Sequence, residues 1–289
     1  MTSEATIGLW NRLERPFDPA DAVEAFTGWH RAAARQFVGA RLATSREANH
    51  LLDHMHEIVR SLAVATTSNP TRTEGDVRGP VLWSETIAAR AASPGAGNVL
   101  ICASPTKAYD TDENQVLVHA LATIRNAARA ADPTGHSQGD DEVIRRARYN
   151  GTRAIRALDH RTLAAVPHRR PSARALQKAR AGLRAGNYRP AVAVIERGVD
   201  PVDASAVMEQ CDALTLQQHG LFLALVERLG EPSVQVVGAT LRAGPLRWVP
   251  AHRAEGGAPH GILLGDLVLD ATDHDVDRIV ELYRRTLSS

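Results

Sequence analysis

Residues 107–124 read KAYDTDENQVLVHALATI, a polar turn followed by an apolar stripe with helical spacing. Asp110 or Thr111 can cap a helix here, because oxygens of these side chains accept the backbone N–H groups that a first helical turn leaves unpaired. Asp112 and Glu113 then fall in the first turn, where the helix dipole favours negative charge. The stretch therefore predicts a long helix that begins at this turn.

The residues before this helix predict strands and loops. Residues 99–104 (VLICAS) form a short apolar run with a β-branched residue at each of two positions, which is typical of a buried strand. Residues 81–92 begin as an extended piece and continue as a helix. The stretch 66–80 is dense in Ser, Thr, Asn, Gly and Pro, which predicts an exposed loop.

The pattern along the whole chain predicts an α+β fold that is mostly helical, with a small central strand pair. A strand–strand–helix unit is expected near the C-terminus, because residues 233–244 and 261–272 have strand-like patterns and an amphipathic segment follows. We expect an N-terminal helical region (1–70), a central region with a basic helical segment (71–200) and a C-terminal α/β unit (201–289).

Composition excludes several classes of protein. No apolar run approaches the roughly 18–20 residues that a membrane span requires, and the N-terminus lacks the basic-then-apolar pattern of a signal peptide. The two cysteines, Cys102 and Cys211, have neither zinc-finger nor disulfide-framework spacing. We therefore expect a cytoplasmic protein with no membrane contact.

Positive charge is concentrated in one segment of a chain whose formal net charge is only +1. Residues 144–184 carry twelve basic residues and one acid, and they predict contact with the phosphate backbone of double-stranded DNA. An acidic surface, within the fold or on a partner protein, is the alternative counterpart of this charge. The candidate nucleic-acid-binding residues are Arg145, Arg148, Arg153, Arg156, Arg169, Arg170 and Arg174.

Three patterns that resemble ligand sites lack an essential part. His50, His54 and Glu57 would share one helical face, but no fourth metal ligand accompanies them. Residues 273–278 alternate aspartates as a calcium loop does, yet Arg278 occupies the position that requires glycine. The sequence also contains no GxxxxGK[ST] motif for nucleotide phosphates. We expect no metal and no cofactor.

Two motifs on either side of the predicted strand resemble those of McrC-like subunits of modification-dependent restriction systems, and of a related family encoded beside McrB-type AAA+ motors. The resemblance covers residues 79–121 closely and residues 40–230 loosely. It implies a structural role for the motif residues, which would hold the junction between strand and helix. They are Gly79, Trp83 and Thr86 in the first motif, and Tyr109, Asp110, Thr111, Glu113 and Asn114 in the second.

The chain departs from this family in its C-terminal part. Members of the family usually end in a PD-(D/E)xK nuclease domain, in which two carboxylates hold magnesium beside a lysine. Here Thr272 occupies the lysine position after Asp270, and neither lysine of the chain has an acid at the required spacing. The C-terminal unit would then be an inactive remnant, although Asp270 with Glu255 or Asp266 could form a degenerate magnesium-dependent nuclease site.

The resemblance and the charge pattern together lead to one functional expectation. The chain is expected to be a non-catalytic accessory protein of a bacterial DNA restriction or antiviral (antiphage) defence system. It would bind a partner protein such as a AAA+ motor or a nuclease subunit, and would contact the DNA backbone through the arginine segment. The alternatives are the degenerate nuclease and a protein–protein interaction module without nucleic-acid contact.

Overall fold

The computed structural model describes residues 2–92, 95, 97–134, 142–250, 261–265, 267–269 and 275–287. It confirms the α+β class, with helices predominating and none of the described helices both long enough and apolar enough to cross a bilayer. In chain order the elements are α1 (Thr2–Asn11), α2 (Pro19–Thr27), α3 (Arg31–Ala43), α4 (Arg46–Asp53), α5 (Met55–Arg60), β1 (Ala65–Glu74), α6 (Trp83–Ala91), β2 (Val99–Ala108), α7 (Asp112–Ala131), α8 (Glu142–Leu158), α9 (Ala173–Ala181), α10 (Ala185–Val199), α11 (Ala204–Met208), α12 (Ala213–Leu229), β3 (Gln235–Val237), β4 (Thr240–Ala243), β5 (Leu246–Val249), β6 (Gly261–Leu264), β7 (Leu267–Leu269) and α13 (Val276–Leu287).

The chain divides into two compact units, and each is discontinuous in sequence. Unit 1 contains residues 1–49, 123–152 and 196–289, and unit 2 contains residues 50–122 and 153–195. The divisions between them fall inside α4, α7, α8 and α10. Each unit therefore combines segments that are far apart along the chain.

Unit 1 is built on an antiparallel sheet in the order β3-β4-β5-β6-β7. Its core includes Phe26 of α2, Phe222 of α12 and Trp248 of β5, all of them buried. Buried and exposed residues alternate along β4 and β5, as expected for a sheet with one covered face. The C-terminal unit contains more strands than the sequence pattern predicted. Residues 233–244 form a hairpin of two strands that turns at Gly238, and β5 is a further strand.

Unit 2 contains a two-stranded antiparallel ribbon in which all ten residues of β1 pair with β2. The prediction of a loop over residues 66–80 is wrong for the residues up to Glu74, which belong to β1. Most of β1 is exposed, so its Ser, Thr, Asn and Pro content resembles that of a loop. Strand formation here depends on hydrogen bonds to β2, more than twenty residues away, which local composition does not report.

Pro70 interrupts the outer edge of this ribbon. On the far side of β2, Leu82 N donates to Ile101 O and Ala103 N donates to Pro80 O. The backbone N–H of Ala103 therefore points away from β1. In this antiparallel register the backbone groups of Pro70, its cross-strand neighbour, likewise point away from β2. Proline at this position costs no ribbon hydrogen bond, and it removes a donor that another strand would need for pairing with the free edge.

Small residues allow close contact between helices of unit 1. A Cβ atom added to Gly39 of α3 would lie 2.6 Å from the carbonyl oxygen of Ala127 and 2.9 Å from the Cβ of Ala130. A Cβ atom added to Gly151 of α8 would lie 2.6 Å from the Cβ of Ala128. Both glycines therefore face the same segment of α7 at distances that exclude any side chain.

The substitution Gly39→Ala is expected to lower the free energy of unfolding by about 2 kcal/mol, because the obstructing carbonyl belongs to helix backbone and cannot rotate away. Gly220→Ala in α12 is the matched control, since an added Cβ there meets no atom within 4 Å. The control should raise the free energy of unfolding by about 0.5–1 kcal/mol through helix propensity. Urea denaturation measures both; a neutral Gly39→Ala would show that α3 and α7 are further apart.

Candidate functional site

The first motif fixes α6 against β2. Gly79 has φ 143°, and a Cβ at this position would lie 2.4 Å from the carbonyl oxygen of Ala103. Thr86 is completely buried, and its hydroxyl oxygen accepts a hydrogen bond of 2.9 Å from the backbone N–H of Ile101. These contacts hold both the entry to α6 and its first turns on the strand.

Trp83 has a different environment from its two motif neighbours. Its side chain is 63% exposed, and Ile87, one turn further along α6, is 64% exposed. Thr86 and Arg90 lie on the adjoining side of the helix and contact β2, with the Arg90 Nε donating to Val99 O at 2.8 Å. Contacts with β2 therefore explain the positions of Thr86 and Arg90. Among the residues that the structure describes, the side chains of Trp83 and Ile87 make no such contact and form an exposed apolar surface. We call these two residues the α6 face.

The second motif caps α7. Thr111 is the N-cap, because its hydroxyl accepts from the backbone N–H of Asn114 at 3.3 Å. Of the two caps that the sequence allowed, Asp110 takes another role: its Oδ1 accepts from the Gln115 Nε2 at 2.6 Å. Glu113 lies in the first turn, as expected from the helix dipole, and its carboxylate pairs with Lys178 at 3.0 Å.

Asn114 is at the centre of a buried hydrogen-bond network. Its Nδ2 donates to the carbonyl oxygens of Ala63 and Tyr109, each at 2.8 Å. Its Oδ1 accepts from the hydroxyl of Tyr188 at 2.6 Å, and this hydroxyl in turn accepts from Ala63 N at 2.8 Å. Burial raises the pKa of Tyr188 to about 12, so the phenol stays protonated and keeps its donor. No local motif marks Tyr188, so its part in this network is not predictable from the sequence pattern.

Four of the seven candidate nucleic-acid-binding arginines form ion pairs with acidic residues of the same chain. These pairs match the alternative in which the arginines balance acids of the fold. They are Arg145–Glu142 at 2.7 Å, Arg148–Asp132, Arg153–Asp53 at 2.8 Å and Arg169–Asp110 at 3.7 Å. The other three, Arg156, Arg170 and Arg174, are exposed and have no ion pair within the described part of the chain.

Comparison with protein-family models, curated proteins and solved structures finds no match to this chain.

The residues of the nuclease alternative, Asp270, Glu255 and Asp266, lie outside the described residues. His50 and His54 have ring centroids 4.3 Å apart, but α4 ends at Asp53 and α5 begins at Met55, so the expected single helical face is interrupted. Within the described ranges, no three His, Cys, Asp or Glu side chains are placed to hold a metal ion. The α6 face and the exposed arginines remain as the candidate interaction surfaces.

Proposed function

We propose that this chain is a non-catalytic, cytoplasmic accessory protein of a bacterial DNA restriction or antiphage defence system. It binds a partner motor or nuclease subunit, and the α6 face is the surface that docks this partner. The motif resemblance supports the type of system. The exposure of Trp83 supports the docking role and is the observation that carries the proposal.

An exposed tryptophan beside an exposed isoleucine is a typical docking feature, because burying both side chains against a partner removes a large apolar area from water. Glycine at position 79 and the buried Thr86 hold α6 on β2 in the free protein. The α6 face is therefore already ordered before a partner arrives, which lowers the entropy cost of binding.

Trp83→Ala is expected to weaken partner binding by about 30-fold, the loss of a tryptophan that contributes about 2 kcal/mol to an interface. The chain would be co-expressed with the proteins encoded beside it, and the affinity of each co-purified partner would then be measured. Leu214→Ala is the matched control, because Leu214 is a large apolar residue of α12 that is 56% exposed. The control should leave partner affinity unchanged.

Equal affinity of the wild type and Trp83→Ala would contradict docking through the α6 face. Magnesium-dependent DNA cleavage that disappears in Asp270→Ala would contradict the non-catalytic role and support the nuclease alternative instead.

A further inference from the structure

We propose that residues 169–174 form a surface that binds phosphates of the double-stranded DNA backbone, with Arg170 and Arg174 as its contact residues. This inference rests on the proposed function in a DNA restriction or defence system, and it names the DNA-contacting part of the chain.

The segment is anchored so that its arginines point to solvent. Val166, Pro171 and Ala175 are buried, whereas Arg170 and Arg174 are exposed. Ser172 adds a second constraint, since its hydroxyl caps α9 by accepting from Ala175 N at 3.1 Å. The two guanidinium groups are therefore carried by backbone that is held on both sides of each arginine.

The charge of Arg170 and Arg174 is not balanced by nearby acids. Residues 160–184 contain seven basic residues and no acid. The acids at the start of α7 that face this segment are paired with other cations: Asp110 with Arg169 at 3.7 Å, and both Asp112 and Glu113 with Lys178, at 3.8 Å and 3.0 Å. This pairing leaves Arg170 and Arg174 without a carboxylate among the described residues.

Two further observations indicate that the positions of these arginines are electrostatically unfavourable in the free protein. Arg174 lies in the first turn of α9, where the helix dipole disfavours a cation. Arg170 lies near His119 of α7, and its positive charge adds to burial in lowering the pKa of that imidazole. An anion bound beside these arginines would offset the unfavourable position of Arg174 in the first turn of α9.

The surroundings favour a nucleic-acid backbone over an acidic protein. Protein interfaces usually have an apolar centre, whereas interfaces with DNA are polar and strongly positive. Residues 167–170 and 172–174 are exposed, and they contain only proline, histidine, arginine, serine and alanine. Arginine also suits this partner, because its planar guanidinium donates two parallel hydrogen bonds to phosphate oxygens.

The double variant Arg170→Ala/Arg174→Ala tests this surface. Binding to a fluorescent random-sequence duplex would be measured by anisotropy between about 50 mM and about 200 mM salt, a range over which phosphate contacts weaken steeply. Affinity at the lower salt concentration should fall about tenfold or more. The slope of log K against log salt should become shallower by about two, one for each lost phosphate contact.

The matched control is Arg46→Ala/Arg60→Ala, which removes the same charge from two other exposed arginines. It should keep the salt slope and nearly all of the affinity. Unchanged melting of both double variants would show that each is folded. Arg170→Lys/Arg174→Lys, which keeps the charge, should restore the salt slope.

Three results would overturn the inference: no duplex binding by the wild type at low salt, equal losses in test and control variants, or equally effective competition by polyglutamate. The last result would assign the surface to an acidic protein. Loss of DNA affinity in the arginine variant, with no effect of Trp83→Ala on the partner, would retain this surface and reject docking through the α6 face. The reverse pattern would retain the proposed docking and reject the DNA surface.

Discussion

Replacing Asn114 with alanine is expected to lower the free energy of unfolding by about 4 kcal/mol. The substitution leaves the carbonyl of Ala63 without the donor that it has now, and the hydroxyl of Tyr188 without its acceptor. Each buried polar group left unpaired costs about 1–3 kcal/mol, and the vacated volume adds to this cost. The carbonyl of Tyr109 is less affected, since it also accepts from Thr111 N at 2.9 Å.

Asn126→Ala is the matched control for this prediction, because Asn126 is an exposed residue of the same helix. Its effect should stay within about 0.5 kcal/mol, as is usual for surface substitutions. Asn114→Asp provides a second test: a carboxylate can accept from Tyr188 but cannot donate to either carbonyl. Chemical denaturation measures all three variants, and a small effect of Asn114→Ala would show that water replaces the lost hydrogen bonds.

The stability of the protein should fall by about 3 kcal/mol between pH 6.5 and pH 4 because of His219 alone. His219 is completely buried in unit 1, between the rings of Phe26 and Trp248. Its Nδ1 is 3.0 Å from the Thr6 hydroxyl, and its Nε2 has no hydrogen-bond partner within the described residues. Burial lowers the pKa of this imidazole to about 4.

The direction of this effect follows from proton binding. The unfolded chain takes up a proton on His219 as the pH falls through about 6.5, whereas the folded protein does so only near pH 4. More protons on the unfolded state mean that this contribution to stability is complete above pH 6.5 and is lost progressively down to pH 4.

The double variant Thr6→Val/His219→Phe isolates the contribution of His219. Both hydrogen-bonding partners become apolar together, so neither is left unpaired. Its free energy of unfolding, measured by denaturation from pH 7 to pH 4, should decline by about 3 kcal/mol less than that of the wild type. His56→Gln, at an exposed histidine, should keep the full decline. An unchanged decline in the double variant would mean that His219 is not the group responsible.

Local sequence patterns identified the helix and strand around the opening motif correctly. The apolar run at 99–104 forms part of β2, although Val99 and Cys102 are its only buried residues, and the polar turn starts α7 with Thr111 as its cap. These features are predictable because capping and apolar periodicity involve residues within about one turn of each other. The limits of the same approach appear at β1, whose polar residues form a strand only because β2 supplies hydrogen-bond partners.

The candidate surfaces show a similar division. Sequence counting located the positive charge, but ion pairs with distant acids engage Arg148 and Arg153, and this pairing is visible only in the folded chain. The spacing of the first motif likewise does not separate Trp83, which is exposed, from Thr86, which is buried. That difference depends on which side of α6 faces β2.

By itself, the sequence determined the α+β class, the start of α7 and the segment that carries the excess of arginine, because each depends on composition or on neighbouring residues. Only the tertiary structure decided that Asn114 bonds to Ala63 and Tyr188, which are 51 and 74 residues away, and that Trp83 faces solvent. The physical reason is that burial and hydrogen-bond satisfaction are properties of segments brought together by folding, and no local pattern encodes which segments meet.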